Sequence, residues 1–317
     1  MQRWVWCWQQ IRPQWGLGPF VLSVGRSLRV FWVPLITLSI VGTSTYRRYA
    51  GTLFRGHLLH FVFNRHYLRT GLSVRQRARL ALEHVRFEEQ FFNSEYFRMI
   101  YEGDGLILWQ RSFDPHHFHI SMKLGDRSVG EGDIEVCLKV NRQSLHKINF
   151  SWIRAGRKKD AFVPFVTRTQ ARWRKDRHVL AIFEQCYPNN SAAYFVIHAL
   201  QGIARATQSE YMVAVRSDEQ VVYEPGEKHF KAAYDDFWWK LGGRDEGGIG
   251  VKIAVPFQMK ALEDVPSKHR KRSAERRHNW AQINASAYEA LSAYLLQPVH
   301  SSARGYLGSE MPNTLEA

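Results

Sequence analysis

Cysteine is scarce in this chain. Its three copies, Cys7, Cys137 and Cys186, are odd in number, widely spaced and form no C-x-x-C, which excludes a disulfide framework and a structural zinc site. A reducing cytoplasm suits that usage. Acidic residues are also in deficit: 29 Asp and Glu stand against 44 Lys and Arg, for a formal net charge of +15. Such a surface attracts polyanions, whether nucleic acid, anionic lipid headgroups, lipopolysaccharide, or acyl and nucleotide phosphates, and charge alone does not choose among them. Apolar runs are short. The stretch from Val30 to Val41, interrupted by Pro34, falls below the roughly 20 apolar residues of a spanning helix, and no A-x-A-like cleavage site follows it to mark a secretory signal. Internal repeats and long low-complexity tracts are missing, which excludes a solenoid. No helix-turn-helix, zinc-finger or RNP-like sequence occurs, so nucleic-acid binding rests on charge only and ranks last.

What is present is apolar enough to fold. With 317 residues, 45% of them hydrophobic, the chain buries one large core or two modest ones. The first 65 residues read as a basic arm rich in tryptophan: Trp4, Trp6, Trp8, Trp15 and Trp32 alternate with Arg3, Arg12, Arg26 and Arg29. Two readings of that arm stay open, an interfacial segment resting on anionic membrane and an irregular arm packing its rings on the core. Residues 66–296 then form an α+β domain, and 297–317 a flexible tail.

The domain begins with a helix. In "LSVRQRARLALEHV" Ser73 is the N-cap, Gln76 closes a capping box, and Val74, Ala78, Ala81, Leu82 and Val85 form the apolar stripe, with Arg75, Arg77 and Arg79 turned largely to solvent. From Gly105 the period changes to two. The runs "GLILWQR", "HFHISMKL", "GDIEVCLKV" and "HKINFSWI" predict a four-stranded antiparallel meander. After "GRKKD" the pattern is irregular until "SAAYFVIHALQGIARATQ", a helix capped by Ser191, followed by the strand "EYMVAVR". In "YDDFWWKLGG", Tyr234, Phe237, Trp238 and Leu241 continue a helical stripe begun at Phe230. Gly242 or Gly243 supplies its left-handed stop. Trp239 lies one position off the stripe, so it and the acidic pair Asp235 and Asp236 are the residues left over if the segment also lines a site. The strand "VKIAVPF" and a long final helix, basic in its first turns and apolar later at Ile283, Ala287, Leu291 and Leu295, complete the domain.

This order of antiparallel strands, helix, strand, helix ending in L-G-G, and strand resembles the GCN5-related acyltransferase fold, a mixed and largely antiparallel sheet flanked by helices. The resemblance implies coenzyme A or an acyl carrier as acyl donor. Such enzymes hold the coenzyme pyrophosphate on a Q-x-x-G-x-G/A turn, whereas this chain has "IRAGRKKD" after "HKINFSWI". There Arg157, Lys158 and Lys159 would supply charge to a phosphate or stand as a solvated basic loop. Glu135, on a central strand, occupies the kind of position from which these enzymes draw a general base. Cys137, on the same strand face, has no neighbour that marks it as activated.

The chain is also similar to the VirK/YbjX family, through "YDDFWWKLGG", "VPSKHRKRSAERRHNW", "FVIHALQGIARATQSEYMVAV" and "YLRTGLSVRQRARLALEHV". That resemblance implies association with the envelope of Gram-negative bacteria, namely virulence, surface-protein localisation and tolerance of cationic antimicrobial peptides. It implies no catalytic residues.

The segment "KHRKRSAERRH" sets Lys268, Arg270, Lys271, Arg272, Arg276 and Arg277 against the single acid Glu275. Positive charge at a helix N-terminus opposes the macrodipole, so an anion, an internal acid partner or solvent must answer it. His117 and His119 share one face of a strand, the spacing of a polar sheet face or of two metal ligands in search of a third. His198 sits with Tyr194, Gln201 and Arg205 on the less apolar flank of its helix, and reads as a surface or half-buried histidine. Two functional readings follow. One is a cytoplasmic or inner-membrane-peripheral envelope protein that binds or transfers an acyl group, with a pocket beside splayed strands near "SWIRAGRKK". The other is a non-enzymatic interaction protein whose tryptophan-rich arm and basic segment dock on anionic membrane or lipopolysaccharide, a reading that expects continuous basic surface with no concave site.

Overall fold

The computed structural model describes residues 33–49, 67–125, 130–155, 161–171, 177–226 and 228–296. The tryptophans at positions 4 to 32, the loop with Arg157, Lys158 and Lys159, and the tail from 297 lie outside them. Pro34 stands in the first turn of α1 (Pro34–Val41), where its fixed φ fits and its missing N–H is not needed. After the short α2 (Ser44–Tyr49), the expected capping box opens α3 (Val74–Phe91): Ser73 Oγ accepts from the Gln76 N–H, and the Gln76 side chain accepts from the Ser73 N–H at 2.8 Å. Ile40, Val41, Tyr46 and Tyr49 are buried in the same apolar cluster as the sheet, and α1 and α2 pack on α3. Arg77 departs from its solvent-facing expectation, since it is buried with Nη1 donating to the Leu72 carbonyl at 2.8 Å. A short α4 (Ser94–Phe97), capped by Asn93, leads through a π-turn to the sheet.

Seven strands form one open sheet in sequence order: β1 (Leu106–Phe113), β2 (His116–Leu124), β3 (Ile134–Val140), β4 (Gln143–Arg154), β5 (Phe162–Ala171), β6 (Tyr211–Ala214) and β7 (Val251–Ala254). Every neighbouring pair is antiparallel except β5 and β6. The meander therefore runs to five strands. β5 occupies "FVPFVTRTQA", where the pattern looked irregular because Pro164, Arg168 and Gln170 interrupt its alternation. α5 (Arg177–Cys186) was missed for a different reason, a helix too short to establish its period.

Register sorts the sheet into two faces. Phe118, Ile120 and Met122 stand beside Val136 and Leu138, and these beside Ile148, on the apolar face, which continues along β4 through Phe150 and Trp152. Phe87 of α3 stacks on Trp152 with ring centroids 4.1 Å apart, and Phe183 and Tyr187 meet Phe118 edge-on. The opposite face carries Ser121, Lys123, Glu135, Cys137, Lys147, Asn149 and Ser151. Its acids are paired one by one: Glu131 with Arg168, Asp133 with the Tyr67 and Ser151 hydroxyls at 2.5 and 2.6 Å, and Glu135 with Lys147 at 2.7 Å.

The crossover from β5 to β6 carries α5 and then α6 (Ala192–Ala206), which packs across β3, β4 and β5. Ser191 stands at its N-cap without a side-chain bond. The aromatic segment after β6 forms α7 (Lys228–Ala233) and α8 (Asp235–Lys240) instead of one helix, because Tyr234 leaves helical geometry at φ −115°, ψ −83°. The long α9 (Ser267–Ser292) packs along α6 and over β1. Gly202 makes that closeness possible, since a Cβ there would collide with the Asn284 carbonyl.

Candidate functional site

The segment "YDDFWWKLGG" divides by burial. Trp238 is fully buried and donates from Nε1 to the Val215 carbonyl at 3.0 Å. Tyr234 is buried against β5, its hydroxyl 3.3 Å from the Thr169 carbonyl and 3.4 Å from the Thr169 N–H, and burial raises its phenol to about 12. Asp235 accepts from the Ser217 backbone N–H at 2.9 Å and from its hydroxyl at 2.5 Å, so it ties α8 to the turn after β6. Gly242 has φ +82° and provides the stop. Gly243 is needed for close approach, because a Cβ would lie 2.7 Å from the Trp238 carbonyl oxygen and 2.8 Å from Val251 Cγ1. Of the segment's four rings only Trp239 turns outward, 46% exposed.

These contacts fill the gap between the two parallel strands. β5 and β6 pair only at Phe165 with Val213 and Val166 with Ala214, and from there β5 runs on to Ala171 paired with β4 on its other edge. Tyr234 takes the free backbone of β5 at Thr169, and Trp238 takes the chain just past β6 at Val215. The protein's own rings thus occupy the divergence on that side. At the opposite end of the pair a smaller cavity of about 190 Å³ lies among Phe91, Phe162, Ser209 and Tyr211.

Trp239 and Gly242 line a larger cleft, of about 720 Å³, closed by α6 and α9. Tyr194 and His198, one turn apart on α6 and therefore on the same helix face, both stack on Trp280 of α9. Their centroids lie 4.8 and 4.9 Å from the indole, with planes 14° from parallel in each case. Phe257 meets His198 edge-on at 5.2 Å. His198 is not the surface or half-buried residue expected from its flank: it is 3% exposed, and burial pushes its imidazole down to about 4. Its Nδ1 lies 2.9 Å from Gln201 Oε1. With that oxygen as acceptor, Nδ1 carries the proton and Nε2 presents its lone pair.

The rim is cationic. Lys240, Lys260, His269, Arg276 and Arg277 line the cleft mouth. Arg277 donates to the Lys260 carbonyl at 2.6 Å and Arg276 to the Ser273 hydroxyl at 3.1 Å, while Arg276 Nε and Trp280 Nε1 are buried donors with no partner. Arg270 is bound to the Glu263 and Val265 carbonyls at 2.9 Å each. Lys268, Lys271 and Arg272 are exposed on α9 outside the lining. Among the described residues no carboxylate forms an ion pair with any residue from 268 to 277. Among the described residues the basic segment therefore stands against the helix dipole without an acid partner.

Other candidates lie elsewhere. Glu135 is 7% exposed between Lys147 at 2.7 Å and Lys123 at 3.5 Å, on the sheet face away from Phe118 and Trp152. Cys137 beside it is buried, and burial raises its thiol. His117 bonds Ser112 at 2.8 Å and His119 is half-buried, its imidazole lowered by burial and by Lys139. Among the described residues no group of three or more His, Cys, Asp and Glu is placed to hold a metal ion. Sequence reasoning missed Trp280 and Phe257, and gave Tyr194 and His198 no site role. The i, i+4 spacing of Tyr194 and His198 was the available signal, but their partner lies far along the chain.

No helix among the described residues is long and apolar enough to cross a membrane. Comparison with curated proteins and with solved structures finds no match. A family model described as a protein of unknown function, DUF535, matches residues 55–287; this chain belongs to that family, the VirK/YbjX family domain.

Proposed function

We propose that this protein binds an anionic amphiphile in the cleft between α6, α8 and α9, and works as an envelope-associated factor peripheral to the inner membrane. The observation that carries this reading is the meeting of an aromatic floor with cationic groups that have no carboxylate partner among the described residues, at one concave site. Stacked rings offer apolar surface at little entropic cost. Arginine forks offer charge-assisted bonds to a phosphate or carboxylate. The outward Trp239 and the exposed Met259 widen the apolar lip as an interfacial residue set would. Lipid and lipopolysaccharide headgroups both present the required chemistry.

The test is co-sedimentation with phosphatidylglycerol vesicles against phosphatidylcholine vesicles at two salt concentrations. The expected result is binding to the anionic vesicles only, weakened by salt and lost in the double variant Arg276→Gln, Arg277→Gln. Equal binding of both proteins would overturn the site.

The acyl-transfer reading draws support from one feature, the single parallel pair β5 and β6 with its short ladder. Against it stands the filling of that divergence by Tyr234 and Trp238. A rise in melting temperature with coenzyme A, unaffected by the Arg276 and Arg277 changes, would favour acyl transfer over the binding reading.

A further inference from the structure

We infer that the cleft selects a polyol phosphate, a phosphate ester with a hydroxyl beside it, and that His198 is the residue that reads the hydroxyl. This deepens the binding reading above and rests on it.

Three observations lead there. First, His198 is nearly inaccessible yet lines the cleft, and its ring is held on both sides, stacked on Trp280 and met edge-on by Phe257. Such a ring cannot turn to suit its ligand, so its polar atom has a fixed direction. Second, Gln201 occupies Nδ1 at 2.9 Å, which leaves Nε2, unbonded by any described residue, as a lone-pair acceptor. Burial keeps the imidazole uncharged across the physiological range. An uncharged acceptor gives nothing to a phosphate oxygen, which has no hydrogen to donate, but it pairs with an alcohol O–H. Third, Arg276 and Arg277 lie four and three residues before Trp280 on α9, on the same helix face, and all three line the cleft together with His198. Arginine at the rim and a neutral acceptor on the floor therefore read two groups of one small headgroup, with aromatic surface beside its carbons.

The chemistry is shared by a lipid headgroup and by a free polyol phosphate, and the test separates them. Affinities of the full chain are measured by titration calorimetry for dihexanoyl phosphatidylglycerol, dihexanoyl phosphatidylmethanol and glycerol 1-phosphate. The two lipids carry equal charge and differ in the headgroup hydroxyls. The inference expects phosphatidylglycerol to bind about tenfold tighter than phosphatidylmethanol, the worth of a well-placed hydrogen bond. His198→Phe, which keeps the stacked ring, is expected to make the two equal. Glycerol 1-phosphate binding as tightly as phosphatidylglycerol identifies a free polyol phosphate as the ligand; much weaker binding identifies the lipid. Equal affinity of the two lipids for the unmodified protein overturns the role of His198 while leaving anionic amphiphile binding intact, and this comparison needs no variant to fold. Failure of both lipids to bind overturns both readings.

Discussion

Trp280 of α9 and His198 of α6 lie face to face, ring centroids 4.9 Å apart and planes 14° from parallel. Tyr194 repeats the contact one turn away. The pair joins two helices, one ending at Ala206 and the other beginning at Ser267, and it forms the floor on which the cationic rim stands. Removing the indole would separate the site from its scaffold, so the informative substitutions are those around it.

The neighbouring rings Trp238 and Trp239 are expected to behave oppositely. Trp238→Ala removes a fully buried ring and a bond to the Val215 carbonyl, a loss of about 3–5 kcal/mol. Trp239→Ala removes a ring that is 46% exposed, and should stay within roughly 0.5 kcal/mol of the parent while weakening vesicle binding. Urea denaturation with parallel co-sedimentation separates the two; a large stability loss at Trp239 would show it to be a packing residue.

The adjacent glycines should also differ in kind. Gly243→Ala places a methyl 2.7 Å from the Trp238 carbonyl oxygen and 2.8 Å from Val251 Cγ1, an overpacking cost of about 1–3 kcal/mol. A Cβ at Gly242 meets nothing closer than Gln258 Cβ at 3.5 Å, an ordinary contact, but the backbone φ is +82°, so Gly242→Ala should cost about 1 kcal/mol through backbone strain. Melting curves of the two variants test the order.

Glu135 is expected to act in stability. Glu135→Leu leaves Lys147, itself buried, without the carboxylate 2.7 Å away, which should cost about 3–5 kcal/mol. The double variant Glu135→Leu, Lys147→Met should recover much of that loss, because it also removes the stranded charge. A single Glu135→Leu variant as stable as the parent would show that the pair does not hold the sheet.

Acid should destabilise the fold through two histidines. Burial pushes both His146 and His198 down to about 4, from an unfolded value near 6.5. Between those limits the unfolded chain binds more protons than the folded one, so stability falls as pH drops. It is complete above about 6.5 and declines down to about 4, by on the order of 3 kcal/mol for each histidine. His146 bonds the Thr169 hydroxyl at 2.8 Å, and His146→Phe should reduce the slope of stability against pH in this window. An unchanged slope would assign the acid sensitivity elsewhere.

Much of the framework was legible because its signals are local. The Ser73 capping box, the four strand runs from Leu106 to Arg154 and the glycine stop after Trp238 all stand where propensity and periodicity place them. β5 escaped because a strand inside a sheet needs no alternation, and its polar residues find buried partners elsewhere in the fold, as Arg168 does with Glu131 before β3. His198 looked like a surface residue because sequence shows the flank of α6 without showing α9 lying over it.

The sequence by itself determined the class of the fold, an α+β chain with a largely antiparallel sheet, and the two segments whose chemistry stands out, the aromatic "YDDFWWKLGG" and the basic "KHRKRSAERRH". Only the tertiary structure decided which of their residues act together. It buried Trp238 and exposed Trp239, bound Arg270 to backbone carbonyls, and turned Arg276 and Arg277 toward a cleft. The physical reason is that capping and periodicity arise between residues a few positions apart, whereas burial and the meeting of charge with aromatic surface are set by contacts between distant elements, here the close crossing of α6 and α9 at Gly202.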